Sequence, residues 1–508
     1  MNGLIISKLS SNQKKVTISF IIIFLVGLGL RLFYLPHELP LIADGMDNFT
    51  YATAINYYEH LPLEWTPANN GWPIFLSFWF SIISLDNSLE YMQMQRVVSV
   101  ILSSFITIPV YFLCKKFFNP KIALIGAALF SFDPRIILNS ILGITEPLFI
   151  ILGVSSLVIF LKYGRKEIIF SFILASLCTI VRSEGIFLLM TLTILFFIKY
   201  KISKEILKTY LPSLVIFLLI LTPIAIYKID VSGNDAIFQR AVAGSGQIVT
   251  MVNEGETNKI FAGVELFVKY LGWIMIPSFL VFLPFGIIQF FRKRTSETNF
   301  IIIFLICSSI PLLYAYIVQA QDTRYFYFLY PIFCLVSLYA VQTYISKFSK
   351  KNTIIVLIVI GILISSVGFY EYKKIDYEKE IELNEISKII SMKIDGANFH
   401  PTESKYIRAA QIPSNWPFVF TEDDYKINVV HVKNEKNLED FIFKNRNEIT
   451  HIITDNNSDL PGFLQDIYNN EKKYKYLEKE FDSQDMGFNQ QIKVFKINFD
   501  IFDIFLKK

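Results

Sequence analysis

The hydrophobic pattern of this 508-residue chain changes character at residue 370. Before it, apolar runs recur at about 16–35, 95–113, 121–139, 147–161, 167–181, 185–199, 207–227, 263–291, 299–318, 325–346 and 353–370. A helix needs roughly 17–25 apolar residues to cross a bilayer. Two of the runs are short for that and 263–291 is long, and together they predict about eleven transmembrane helices. The first run is too long for the core of a signal peptide and reads as an anchor. Between the first two runs lies an external segment, 36–94. Its Asp47–Tyr58 stretch reads as helix, and its apolar Trp72–Leu85 stretch is too short to span and suits the membrane surface. After residue 370 the periodicity shortens. Glu371–Lys393 is charged and reads as helix, followed by turn signals at Gly396, Pro401 and Pro413. Ile427–Val432 and Ile449–Thr454 read as strands, Leu438–Arg446 and Leu460–Tyr468 as helices, and Gln491–Phe499 as a strand. This alternation predicts a small α/β domain with parallel strands.

Composition follows the same split. Residues 1–370 carry 47 charged residues, and the remaining 138 positions carry 45. The whole chain is 53% hydrophobic and 18% charged, against roughly 25% charged in soluble domains. A disordered, collagenous or disulfide-built chain is excluded. A net charge of +4 is too small for this size to point to nucleic acid. Cys114, Cys178, Cys307 and Cys334 all lie within apolar runs and read as small buried hydrophobes. Two domains are expected: a membrane domain over 1–370, including the 36–94 loop, and a soluble domain over 371–508.

Basic residues orient the stack. With Lys8, Lys14 and Lys15 in the cytoplasm, every second loop carries a cluster: Lys115, Lys116 and Lys121; Lys162, Arg165 and Lys166; Lys199, Lys201, Lys204 and Lys208; Arg292, Lys293 and Arg294; Lys347, Lys350 and Lys351. The positive-inside rule then places the N-terminus in the cytoplasm and the C-terminal domain outside.

The outer ends of the runs gather groups of both signs: Asp44, Asp47, Glu59 and Glu64, then Asp133, Arg135 and Glu146, then Arg182 and Glu184, then Asp322 and Arg324. Ionisable groups at a membrane boundary cost free energy unless paired or facing water, so this one-sided set reads as a polar pocket. A carboxylate there suits proton removal from an acceptor hydroxyl. Arginine suits a phosphate, through its planar fork. Group transfer from a lipid phosphate fits these residues, and so does a polar path in a multi-span transporter. Internal repeats and mid-membrane charges would favour the transporter, and neither is seen.

The order of motifs resembles the GT-C superfamily of membrane glycosyltransferases, closest to the branch of protein O-mannosyltransferases and lipid A aminoarabinose transferases. An acidic motif opens the first external loop at Asp47-Asn48-Phe49-Thr50-Tyr51. A Pro-led amphipathic helix follows at Pro73–Leu85, and an Arg opens the next span at Gln95-Arg96. Then come Thr145-Glu146-Pro147, Arg182-Ser183-Glu184-Gly185, and Asp322-Thr323-Arg324-Tyr325 with Pro331 six residues beyond Tyr325. Asn48 stands where the family commonly has Glu, so Asp44 is expected to share the acidic role. No Trp-Trp-Asp occurs in the C-terminal domain, which argues for single-sugar transfer over transfer of an oligosaccharide.

The resemblance implies an α-helical polytopic GT-C fold with a small C-terminal soluble α/β domain. It implies inverting transfer from a polyprenyl (dolichyl) phosphate sugar to an external protein, lipid or glycan acceptor. Asp47 would be the general base, with Asp44 and Glu146 beside it. Arg96, Arg324 and Tyr325 would hold the donor phosphate, and Arg182, Glu184, Asp133 and Arg135 would line the pocket. No cofactor is expected to be required. A divalent ion, if used, would sit on Asp44, Asp47 and Glu146, because hard cations take oxygen ligands. Asn456-Asn457-Ser458 matches an N-glycosylation acceptor.

Overall fold

The computed structural model describes residues 10–507 except 38, 64–65, 87, 202, 236, 255, 374–376, 394–398, 401–436, 448 and 456–461. The chain forms two compact units. One comprises Met1–Pro36, Asn48–Ile82 and Met94–Lys374; the other comprises His37–Asp47, Ile83–Gln93 and Ile375–Lys508. The expected strand at Ile427–Val432, the turn signals at Gly396, Pro401 and Pro413, Glu64 and the Asn456 acceptor pattern lie outside the described residues.

The first unit is a multi-pass membrane domain of helices, and its apolar runs become helix for local reasons. Ser10 opens Ser11–Phe33 with a capping box completed by Gln13, and Thr295 does the same for Ser296–Ile317 with Thr298. Asn119 caps Pro120–Ser131 through its side-chain oxygen, which accepts from Lys121 N and Ile122 N. Asp133 caps Pro134–Ser140 in the same manner. The last two pair a polar cap with proline at the first helical turn, where the missing N–H costs nothing. The Pro134 start also bends the chain by 53° from Pro120–Ser131. Large apolar side chains such as Phe33, Phe170, Leu219, Phe261 and Ile364 are exposed, while Ser99, Thr107, Ser156, Ser171 and Thr191 are buried. That inverts the soluble pattern and suits a hydrocarbon surround.

Among the described residues, seven helices are long and apolar enough to cross a membrane, or eight if the bent Pro120–Ser131 and Pro134–Ser140 pair is one span. Eleven is not reached on that measure. The 147–161 and 167–181 runs form Glu146–Lys162 and Ile168–Val181, of 17 and 14 residues, at or below the length of a bilayer core. The long 263–291 run is not one span but two helices, Thr257–Ile274 and Phe282–Arg292. Pro277 lies in the break, and proline removes a helical hydrogen bond and clashes with the preceding turn. Gly71–Ile82 is a short apolar helix of 12 residues, as expected for the surface segment. Phe238–Asn253 is a further helix outside any apolar run.

In the second unit, β1 (Phe399–His400), β2 (His451–Asp455), β3 (Leu477–Asp482) and β4 (Ile492–Ile497) form one sheet in the order β1-β2-β4-β3. Side chains alternate across it. Ile452 and Phe495 join Phe441, Leu464 and Phe502 on one face, and Ile453 and Val494 join Leu383, Ile386 and Ile390 on the other. Helices therefore cover both faces. The expected parallel sheet is corrected to a mixed one: β1 pairs with β2 in parallel, but β4 is antiparallel to both β2 and β3. β3 and β4 are joined by a short connection, which permits only antiparallel pairing. β3 carries no apolar alternation in the sequence because its middle residues, Glu478, Lys479 and Glu480, are charged and exposed, as befits an edge strand.

Candidate active site

Two turns of the first unit build the centre of the site. Thr145-Glu146-Pro147 starts the Glu146–Lys162 helix, where a carboxylate complements the positive helix end. Glu146 is buried at 3% exposure. At the other turn Arg182 adopts extended backbone, φ −147° and ψ 131°, ending the Ile168–Val181 helix. A short 3₁₀ turn, Ser183–Gly185, follows. A Cβ at Gly185 would lie 2.6 Å from Thr179 N, so only glycine lets this turn fold back onto the helix it has left.

Arg182 bridges two carboxylates. Nη1 donates to Glu146 Oε1 at 2.6 Å, and Nη2 donates to Glu184 Oε1 at 2.8 Å. Burial opposes the charge on Arg182, but Glu184 and Glu146 outweigh it and hold the guanidinium above its ordinary pKa. The guanidinium also lies 5.7 Å over the Phe149 ring. A third turn brings Arg324: Asp322 Oδ1 accepts from Arg324 N at 2.8 Å, and Arg324 Nε lies 2.8 Å from Asp322 Oδ2.

The stretch Pro67-Ala68-Asn69-Asn70-Gly71-Trp72-Pro73 runs against both central turns. Asn69 Oδ1 accepts from Ser183 N at 3.2 Å, and a Cβ at Gly71 would meet Val181 N at 2.6 Å. Trp72 Nε1 and Gln95 Nε2 both donate to Gly143 O, at 3.0 and 2.7 Å, just ahead of Glu146.

These turns border a cavity of about 770 Å³ lined by Glu146, Arg182, Glu184, Arg324 and Tyr325 together with Phe149, Ile150, Phe187, Leu188, Pro311 and Val318. It offers two guanidinium groups and two carboxylates beside an apolar wall. Five expected site residues thus share one cavity. Arg96 does not line it, although it is buried in the same unit. Asp133 and Arg135 do not line it either. Asp133 Oδ1 is used as a helix cap. Arg135 donates to Trp273 O at 2.8 Å and Ile276 O at 3.3 Å, tying its helix to the turn after Thr257–Ile274. Asp44 and Asp47 occupy the first turn of the Asp44–Tyr58 helix, both exposed, and belong to the second unit.

Among the described residues no three His, Cys, Asp or Glu side chains gather as metal ligands, and Glu146 is already committed to Arg182. The sequence reading missed Gln247 and Tyr314, which also line the cavity and hydrogen-bond at 2.5 Å. Gln247 lies on Phe238–Asn253, outside every apolar run, and Tyr314 is one aromatic among many in a span.

No known protein family matches the chain by sequence, and no curated protein does. Solved structures do match in fold. ArnT from Cupriavidus metallidurans in the apo state superposes with a TM-score of 0.58 at 10% identity, over 96% of this chain and 98% of that one. The chain has a GT-C fold. The Archaeoglobus fulgidus oligosaccharyltransferase in complex with Zn and sulfate matches with a TM-score of 0.57 at 14% identity, over 86% of this chain and 68% of that one. The archaeal oligosaccharyltransferase AglB from Archaeoglobus fulgidus, in complex with an inhibitory peptide and a dolichol-phosphate, matches with a TM-score of 0.58 at 11% identity, over 87% and 70%. The GT-C resemblance of the motif order is therefore met by the fold.

Proposed function

We propose that this protein is a membrane glycosyltransferase that moves one sugar from a polyprenyl phosphate to a hydroxyl on an extracytoplasmic acceptor, with inversion. The cavity carries the proposal, because it offers arginines for a phosphate and an apolar wall for a lipid chain in one space. The GT-C fold supports it, and AglB, which shares that fold, was solved with a dolichol-phosphate. That structure also holds a peptide, so a protein acceptor is the first to test.

In this mechanism Arg324 and Tyr325 contact the donor phosphate and Arg96 adds positive charge. Arg182 orients Glu146 and Glu184 by donating a hydrogen bond to each. Asp47 takes the proton from the acceptor hydroxyl, assisted by Asp44. The acceptor oxygen attacks the anomeric carbon as the bond from that carbon to the phosphate oxygen breaks. Polyprenyl phosphate leaves with the electron pair. The N-terminus is cytoplasmic, residues 1–370 form the catalytic membrane domain with its 36–94 loop, and residues 371–508 form the extracytoplasmic domain.

The test is transfer of labelled hexose from a polyprenyl phosphate in proteoliposomes. Asp47→Asn keeps size and loses the base, so the rate should fall by about 10²–10⁴ with donor binding intact. Arg324→Ala removes a charged donor to phosphate, worth about 1.5–3 kcal/mol, and should weaken donor binding about tenfold or more. Near-normal turnover in Asp47→Asn and normal donor binding in Arg324→Ala would together refute the mechanism.

A further inference from the structure

Lys228 sits four residues from the end of the long Lys204–Ser232 helix and is buried at 2% exposure. A buried ammonium is stable only where acceptors replace its water. Here they are main-chain carbonyls: Nζ donates to Pro67 O at 3.1 Å and Ala68 O at 2.8 Å. The neighbouring Tyr227 acts on the same segment. Its hydroxyl donates to Pro62 O at 2.6 Å and lies 2.6 Å from the Tyr51 hydroxyl. Asn70 Nδ2 in turn donates to Tyr51 Oη and Thr66 Oγ1, at 3.2 and 3.0 Å.

Residues 66–70 belong to no helix or sheet, so side chains from elsewhere must fix their backbone. What it holds is the Arg182 turn. Asn69 Oδ1 accepts from Ser183 N, and the Gly71 backbone packs against Val181. Contacts of Lys228, the loop and the turn follow one another to the guanidinium that lines the cavity. A binding group must be held within about 0.5 Å of its working position to be effective, and loops do this poorly unless braced.

We propose that Lys228 is a positioning residue: it fixes the 66–70 loop and, through Asn69, the turn that presents Arg182 to the cavity. The effect on ligand rests on reading the cavity as the donor phosphate site; the brace itself does not. Full-length chain in lipid nanodiscs allows two readouts, amide hydrogen exchange and binding of dolichyl phosphate. Lys228→Met should raise exchange in 66–70 and 182–185 and weaken dolichyl phosphate binding, each by about tenfold. Lys228→Arg, which can still donate to both carbonyls, should restore both. Asn69→Ala, which removes no charge, should raise exchange in 182–185 and spare the Tyr330–Ile345 helix. Unchanged exchange at 182–185 in both Lys228→Met and Asn69→Ala overturns the brace. So does a rise that extends equally through Tyr330–Ile345, which marks Lys228 as a general stabiliser. If the wild-type chain does not bind dolichyl phosphate, the donor reading falls while the exchange pattern still decides the brace.

Discussion

Arg182 reaches back 36 residues in sequence to donate through Nη1 to Glu146 Oε1 at 2.6 Å. Both side chains are mostly buried, at 15% and 4% exposure. Removing one partner of such a pair leaves a charge without water or counter-charge and typically costs about 3–5 kcal/mol. Arg182→Ala should therefore lower stability by about that amount, read as the thermal unfolding midpoint in detergent. Adding Glu146→Gln to Arg182→Ala should recover part of the loss, because the stranded carboxylate is gone. Arg182→Lys should not substitute, since an ammonium lacks the fork that meets two carboxylates at once. Equal midpoints for Arg182→Ala and wild type would show the pair to be unimportant to the fold.

The Gly185 turn gives a second, steric prediction. A methyl there would sit 2.6 Å from Thr179 N and 2.7 Å from Thr179 Cα, both backbone atoms that cannot swing aside. Gly185→Ala should cost about 1–3 kcal/mol, as overpacking generally does. Gly361, in the Lys351–Tyr372 helix, has nothing within 4 Å of its would-be Cβ. Gly361→Ala should be neutral or stabilising, by up to about 1 kcal/mol of helix propensity. Thermal unfolding of the two variants side by side checks the contrast.

The second unit should be sensitive to acid through His451. Burial lowers its pKa below the ordinary 6.5, and Glu480, 3.1 Å from Nε2, offsets this only in part. The unfolded chain therefore binds the proton more readily than the folded one. Stability from this group is complete above pH 6.5 and is lost as pH falls through that value toward the folded pKa. The unfolding midpoint of the second unit should drop between pH 7 and about pH 5, and His451→Gln should flatten that drop. An unchanged slope in His451→Gln would assign the acid sensitivity to other groups.

Orientation can be read chemically, because Cys114, Cys178, Cys307 and Cys334 are all buried. Lys472 is exposed in the second unit. A cysteine placed at Lys472 should react with an impermeant maleimide in intact cells or right-side-out vesicles. Reaction only after the membrane is opened would reverse the orientation expected from the basic loops.

The sequence by itself determined the division of labour along the chain. Apolar runs of bilayer length and their basic loops are local properties, and a run such as Lys351–Tyr372 is helical whatever it packs against, since lipid leaves the backbone no other partner. The corners Thr145-Glu146-Pro147, Arg182-Ser183-Glu184-Gly185 and Asp322-Thr323-Arg324-Tyr325 were legible for the same reason: charges and helix starts stand out against apolar flanks. Which corners meet was decided only by tertiary structure. Asp133 and Arg135 look no different in sequence from Glu146 and Arg182, yet the first pair caps and ties a helix while the second lines the cavity. In sequence Lys228 is one cation beyond an apolar run, and its place under the Pro67 and Ala68 carbonyls depends on a loop more than 150 residues away. β3 stayed hidden because an edge strand needs only one buried side, so its alternation is weak until β4 pairs with it. Local pattern specifies elements; the contacts between distant turns that make a site are set by packing, which no short window of sequence contains.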